Sequence, residues 1–317
     1  MKIAADLLNG DPLPVPKVPA WARPRGEVQR DVDAGYVAGA ALNCLENLVR
    51  SAPVWAGVWR QRLALKSAAA ATRLLGRTEE ESALRDAQLF GAAGNDPGPA
   101  GKVLLAWRRL ASRSTTLDEE AARSIADLLE LKWDEPLTEM LANGADLLSS
   151  SRPAPVLAAE FAAEVYRARP DAELLAFWLA DVVLAQKLRW PVPVPLLMGQ
   201  VNATGFKAGE TRRRIRPGGE GWPVAVLLAY AQAAVEACDL GADIARRAAL
   251  ILEVAPKLRA KGSADVVKLL LDDDALPGSW STPKLSARGA RRLFERLQHL
   301  GVVRELSGRP TFRLYGL

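Results

Sequence analysis

Between Arg288 and Arg296 the chain reads "RGARRLFER", which sets Arg288, Arg291, Arg292 and Arg296 at spacings that recur on a helix surface. Guanidinium groups in such an array can fork onto phosphate oxygens or onto the O6/N7 edge of guanine. The chemistry they suggest is therefore anion recognition, above all of nucleic acid. Lys284 and Ser286 stand just before this run, and Arg309 and Arg313 follow in a β-prone tail; together these eight residues form the primary candidate site. A second basic set, Arg212, Arg213, Arg214 and Arg216, lies in the glycine-rich stretch "GFKAGETRRRIRPGGEG", residues 205–221. Two readings stay open there: a solvated, flexible loop, or a site for phosphate or an acidic partner.

Other reactive combinations are sparse. His299 is the single histidine, so a histidine-rich metal site or a Ser–His–Asp triad has almost nothing to be built from. Its place near a helix C-terminus suits a partial positive charge. Cys44 and Cys238 lie far apart without CxxC spacing and read as reduced, buried thiols of a cytoplasmic protein. "GPAGKV" fails as a phosphate loop, because Asp96 stands where the first glycine is required and Val103 where Ser or Thr is required. Arg85 and Asp86 with Asp96 frame either a small polar site at a helix N-terminus or an ordinary capped turn. Asp272, Asp273 and Asp274 offer either clustered oxygens for a divalent cation or a solvated helix end. No catalytic residue, cofactor or metal is expected.

The charge is unevenly placed. The whole chain carries a formal net charge of +5. Residues 257–317 hold 12 Lys or Arg against 6 Asp or Glu, which leaves 30 against 31 in all the rest. A basicity this local favours a localised anionic partner, DNA first, over a general surface property.

The elements that must position these groups are helices. Alanine and leucine dominate while β-branched and aromatic residues are few, so the fold class is mainly α. Residues 1–26, with Pro12, Pro14, Pro16, Pro19 and Pro24, predict an extended arm, disordered or laid across the body. From Glu27 the apolar spacing becomes helical: Ala41, Leu45, Leu48 and Val49 share one face until Pro53 closes the pattern. Trp55, Trp59 and Leu63 share the next, followed by "SAAAA". Capping-box spacings at Thr78/Glu81 and Thr116/Glu119 predict helices over 79–90 and 117–131, and "GNDPGPAG" launches another between them. Further helices are expected near 135–150, 154–168, 171–188, 222–239 and 240–260. This body, 27–261, reads as a multi-helix bundle or array and as a candidate for homodimerisation. Its apolar stretches "ELLAFWLADVVLAQKL" and "WPVAVLLAYAQAAV" are too short and interrupted to span a bilayer, so no membrane association is expected.

Residues 262–317 read as a separate module. Gly262 breaks the chain, Ser263 is placed to cap, and "ADVVKLLLDDD" is amphipathic. Pro277, Gly278 and Pro283 leave a connector with little room for a middle helix. Ser286 is placed to cap a second helix whose buried stripe is Ala290, Leu293, Phe294, Leu297 and Leu300, stopped at Gly301. "VVREL" and "TFRLY", joined by "SGRP", pair as a hairpin. Helix, turn, helix and hairpin amount to a winged-helix plan with a small β-hairpin wing.

The stretches "GAALNCLENLVR", "LRDAQLF", "DPGPAGKVLLAWRRLA", "APKLRAKGS" and "RPTFRLYGL" resemble a bacterial family designated domain of unknown function 1403. The resemblance implies a bacterial, cytoplasmic, mostly helical protein and brings no activity, cofactor or catalytic residue. The functional expectation therefore rests on the residues: a non-enzymatic nucleic-acid-binding or regulatory protein acting through the C-terminal module. The alternatives are a protein-interaction or scaffold module of a bacterial regulatory or mobile-element system, and an enzyme built around Arg85, Asp86 and Asp96.

Overall fold

The computed structural model of the chain describes residues 15–24, 30–92, 94–112, 114, 116–208, 213–309 and 311–317. It is mainly helical, with a small antiparallel sheet near the C-terminus. The helices are α1 Asp31–Ser51, α2 Ala56–Leu74, α3 Glu81–Ala92, α4 Gly98–Ser112, α5 Glu119–Leu128 and α6 Glu135–Ser149. They continue as α7 Ala154–Ala168, α8 Glu173–Lys187, α9 Trp222–Val254, α10 Ser263–Asp272 and α11 Ala287–His299. Two compact units result. One comprises residues 16–50 and 63–238; the other takes 51–62 and 239–317, together with Val15. Most of the predicted arm lies outside the described residues. Its described part packs down, with Val18 and Ala22 buried and the Arg23 Nε donating to the Val18 carbonyl at 3.2 Å.

The larger unit is organised around α8, "ELLAFWLADVVLAQK". This helix is apolar on nearly every face, the pattern of a helix enclosed by others, and Leu174 through Ala185 are all buried. Trp178 donates its indole N–H to the Ala106 carbonyl of α4 at 3.0 Å. Phe177 stacks edge-on against Trp222 at 5.8 Å, and Phe206 lies 5.7 Å from the same ring. Gly144 of α6 faces Phe161 so closely that a Cβ would come within 2.4 Å of the ring. Two helix starts differ from the sequence expectation. At α5 the cap is Asp118, whose carboxylate accepts the Ala121 N–H at 2.8 Å, while Thr116 donates its hydroxyl to that carboxylate. The acid outcompetes the hydroxyl for the helix end, so α5 begins two residues late. At α3 the first turn closes on the Glu80 carbonyl, and Thr78 stays outside it.

Asp181 is the exception inside α8: a carboxylate 1% exposed. It accepts the backbone N–H groups of Leu196 at 2.8 Å and Leu197 at 3.2 Å, so it anchors the proline-rich segment that follows the helix. Burial pushes its pKa up to about 7, against the opposing pull of those two N–H groups, and the Tyr230 hydroxyl lies beside it. The described residues of the stretch 205–221, namely 205–208 and 213–221, are more structured than its composition predicts. β1 Lys207–Ala208 pairs antiparallel with β2 Arg213–Arg214, and the Ile215 N–H donates to the buried Phe206 at 2.7 Å.

α9 runs unbroken through the place where two helices, 222–239 and 240–260, are predicted. A single Gly241 lowers helix propensity by about 1 kcal/mol, too little to break a helix with this much apolar surface to bury. Unbroken, it is long and apolar enough to cross a membrane by length and composition. The window that meets this test is 67% buried within the protein, as in a core helix.

The smaller unit holds the predicted module but begins before it, at Asp239, and takes in residues 51–62. Ser263 is the first residue of α10 rather than a capping side chain; the turn is made by Gly262 at φ 82°. β3 Leu276–Pro277, β4 Arg304–Glu305 and β5 Leu314–Gly316 form an antiparallel sheet in the order β3-β5-β4. β3 lies within the stretch predicted to be a plain connector. Phe294 of α11 stacks on Tyr315 of β5 with ring centroids 4.8 Å apart, tying helix to sheet. α11 closes in a Schellman turn: the Val302 N–H reaches the Leu297 carbonyl at 3.1 Å and the Gly301 N–H the Gln298 carbonyl at 2.9 Å. This turn hands the apolar stripe from Leu297 to Val302, which leaves the predicted core residue Leu300 45% exposed.

Candidate nucleic-acid interface

Helix α11 is sharply two-sided. Ser286 caps it, its hydroxyl accepting the Gly289 N–H at 3.2 Å. Ala290, Leu293, Phe294 and Leu297 are buried, which fixes the opposite face toward solvent. On and beside that face Arg288, Arg291, Arg292 and Arg296 are exposed, as is Lys284 before the helix. None of these arginines forms an ion pair or side-chain hydrogen bond among the described residues. His299 is exposed at the last helical residue, as its position suggested.

The hairpin adds a second basic element. Arg304, which the sequence reading did not single out, is exposed on β4. Arg313 is exposed before β5; the Tyr315 hydroxyl raises its pKa, and the charges of Glu305 and of Glu295 on α11 add to this. Arg309 donates to the Phe312 carbonyl from Nε at 3.2 Å and from Nη2 at 3.0 Å, across the hairpin turn. Ser307 braces the other side, its hydroxyl donating to Glu305 at 2.7 Å and accepting the Leu314 N–H at 3.2 Å. Held this way, Phe312 has φ 53° and is 83% exposed. A left-handed conformation costs a non-glycine residue about 1–2 kcal/mol.

The second basic set divides. Arg212 lies outside the described residues. Arg213 is exposed on β2. Arg214 forks onto Glu173 with N···O distances of 2.6 and 2.9 Å, and Arg216 reaches the Tyr166 hydroxyl at 3.3 Å. These two serve the larger unit's own fold.

The acidic run at 272–274 divides: Asp272, the last residue of α10, is exposed, whereas Asp274 is withdrawn from solvent. Asp274 is buried and ion-paired with Arg62, whose guanidinium also donates to the Asp274 carbonyl at 3.4 Å and the Leu317 carbonyl at 3.3 Å. Gly57 passes so close to Asp272 that a Cβ would lie 2.7 Å from its Cα. Among the described residues no cluster of three His, Cys, Asp or Glu groups is arranged to hold a metal ion. Arg62 escaped the sequence reading because its partner is 212 residues away and no local pattern connects them.

The residues of the enzyme alternative lie in α3, for Arg85 and Asp86, and at the start of α4, for Asp96. Asp96 caps α4, its Oδ1 accepting the Gly98 N–H at 2.9 Å, and Arg85 pairs with Glu81 one turn earlier at 3.5 Å. A cavity of about 290 Å³ lies elsewhere, lined by Arg109, Thr116, Asp118, Ser124 and Trp178 among others. Its polar groups hold one another: Arg109 donates to Ser124, and Thr116 with the Ala121 N–H keeps the Asp118 carboxyl below its ordinary range.

Fold and site together define a mainly helical protein with a small C-terminal sheet and an exposed basic helix face. The family model described as a protein of unknown function, DUF1403, matches residues 8–317, and the chain belongs to that family. No curated protein matches it.

Proposed function

We propose that the smaller unit binds double-stranded nucleic acid through α11 and the β4–β5 hairpin, as a winged-helix-like module of a regulatory protein. The observation that carries this reading is the face of α11. Four arginines stand exposed without ion-pair partners among the described residues, on a helix whose other side is locked into the core. Unpaired guanidinium groups on a rigid helix repel one another, an arrangement that an anionic partner relieves. The sheet order supports the module type. A short strand from the inter-helix connector pairs with the last strand of a terminal hairpin, β3-β5-β4, an order that accords with a winged-helix plan in which the connector takes the place of the middle helix. Cys44 and Cys238, which form no disulfide with one another, accord with a reducing compartment such as the cytoplasm.

Binding to a labelled duplex across a salt series tests this directly. The parent should bind, with log affinity falling linearly against log salt. Arg288→Ala with Arg292→Ala should flatten that slope by about 0.9 for each phosphate contact removed. A lost base contact should instead cost about 1–3 kcal/mol at one sequence position. A folded double variant that binds like the parent, or a parent that binds no duplex, rejects the reading and leaves protein docking in its place.

A further inference from the structure

Phe312 has no share in the core. Phe161, Phe177, Phe206 and Phe294 are each no more than 1% exposed, whereas Phe312 is 83% exposed at the tip of the hairpin. Its backbone is held in the left-handed region by two hydrogen bonds from Arg309, and its chain neighbour Arg313 is exposed beside it. An exposed aromatic ring, on a basic turn whose backbone carbonyl is hydrogen-bonded by Arg309, is a group presented to something flat and anionic. Nucleic-acid bases with their phosphates meet both conditions.

Resting on the nucleic-acid reading of this unit, we infer that Phe312 is a wedge that enters duplex DNA between base pairs at a flexible pyrimidine–purine step. The arginines of α11 would then hold the phosphates while the ring unstacks and kinks the step. Apolar wedges of this kind bend the duplex and so bring more of it against the protein. The hydrogen bonds on either side of Phe312 matter to this role: Arg309 holds its carbonyl, and Ser307 links Glu305 to Leu314, so less of the backbone that carries the ring has to be ordered on binding.

The full-length chain and an end-labelled duplex with a central TA step provide the test. Anisotropy reports affinity, and energy transfer between the duplex ends reports bending. Phe312→Ala should bind about tenfold to a hundredfold more weakly with an unchanged salt slope, because a ring contact releases no counterions. It should also leave the duplex straight. Phe312→Trp should keep both properties, and Phe312→Gly, which relieves the backbone and so protects folding, should behave as the alanine variant does. If the parent binds but the alanine and glycine variants bind and bend alike with it, the wedge is wrong and the helix reading stands. Weaker binding with a flatter slope also overturns the wedge, since the ring would then only position phosphate-contacting groups. A parent that binds no duplex overturns both.

Discussion

The segment Arg213–Arg216 and helix α11 each carry a cluster of arginines, yet the two sets meet different surroundings. Arg214 is gripped by both oxygens of Glu173, and the pair is largely withdrawn from water. Arg216 leans on the Tyr166 hydroxyl. The four arginines of α11 have no such partners among the described residues and line a helix whose only acidic neighbour on that face is Glu295. Charge composition treats the two alike. What separates them is whether the fold delivers a carboxylate within reach, and that depends on residues far off in sequence. An arginine already held by a carboxylate has its best donors engaged; one left open has them available.

The contrast is sharpest at Arg62, where an arginine is wholly structural. Arg62→Ala removes the guanidinium that is ion-paired with the buried Asp274, which should cost about 3–5 kcal/mol in chemical denaturation. A loss below about 1 kcal/mol would mean that buried and exposed arginines are not so different here after all.

The next test sets a buried acid against the exposed bases. Folded Asp181 keeps its proton up to about pH 7, while the unfolded chain gives it up near the ordinary value of 3.8. Between those limits the unfolded state binds fewer protons, so stability falls as pH rises from about 4 to about 7. Each pH unit corresponds to about 1.4 kcal/mol at most, or roughly 4 kcal/mol in all. Asp181→Asn should remove that slope, since its amide oxygen still accepts from Leu196 and Leu197. Denaturation at pH 5 and at pH 8 reads the difference; equal pH dependence in both proteins would show that Asp181 is charged when folded.

Arg214→Ala comes third. Losing a bidentate, partly buried pair should cost about 1.5–3 kcal/mol while leaving the salt slope of nucleic-acid binding untouched. The same substitution at Arg292 should move stability by less than about 0.5 kcal/mol. If Arg214→Ala flattens the slope, the comparison between the two clusters breaks.

The sequence made α11 legible because every cue there is local. Ser286 is placed to cap, the apolar residues recur at helical spacing, and Gly301 can adopt the left-handed turn. The hairpin was legible for the same reason, as two β-prone runs around "SGRP". Leu300 was misplaced because periodicity alone cannot tell where a Schellman turn will pass the stripe to Val302. β3 was invisible: Leu276 and Pro277 make no strand pattern and pair only because β5 supplies an edge. The continuity of α9 and the burial of Asp274 were hidden for a related reason, since each is decided by tertiary packing that outweighs a local signal. At the candidate site the exposed arginines could be read from the helix face. The clamp of Arg309 on Phe312 could not, because it depends on the exact path of a turn.

The pairing of Arg62 with Asp274 also bears on how the chain comes to be folded. Residues 51–62 are synthesised early, and the residues that complete their unit follow long afterwards, with 212 positions separating the two partners. Closing so wide a loop carries an entropic cost that grows with the logarithm of its length, and contacts of such long range form slowly. Until they form, the first turns of α2 stand as one wall of a room whose other walls do not yet exist. A fragment cut at residue 262 would have the opposite defect: it would carry Asp274 and the sheet, and no guanidinium to meet them. The smallest piece that folds faithfully must therefore span both segments, which ties the order of assembly to nearly the whole length of the chain.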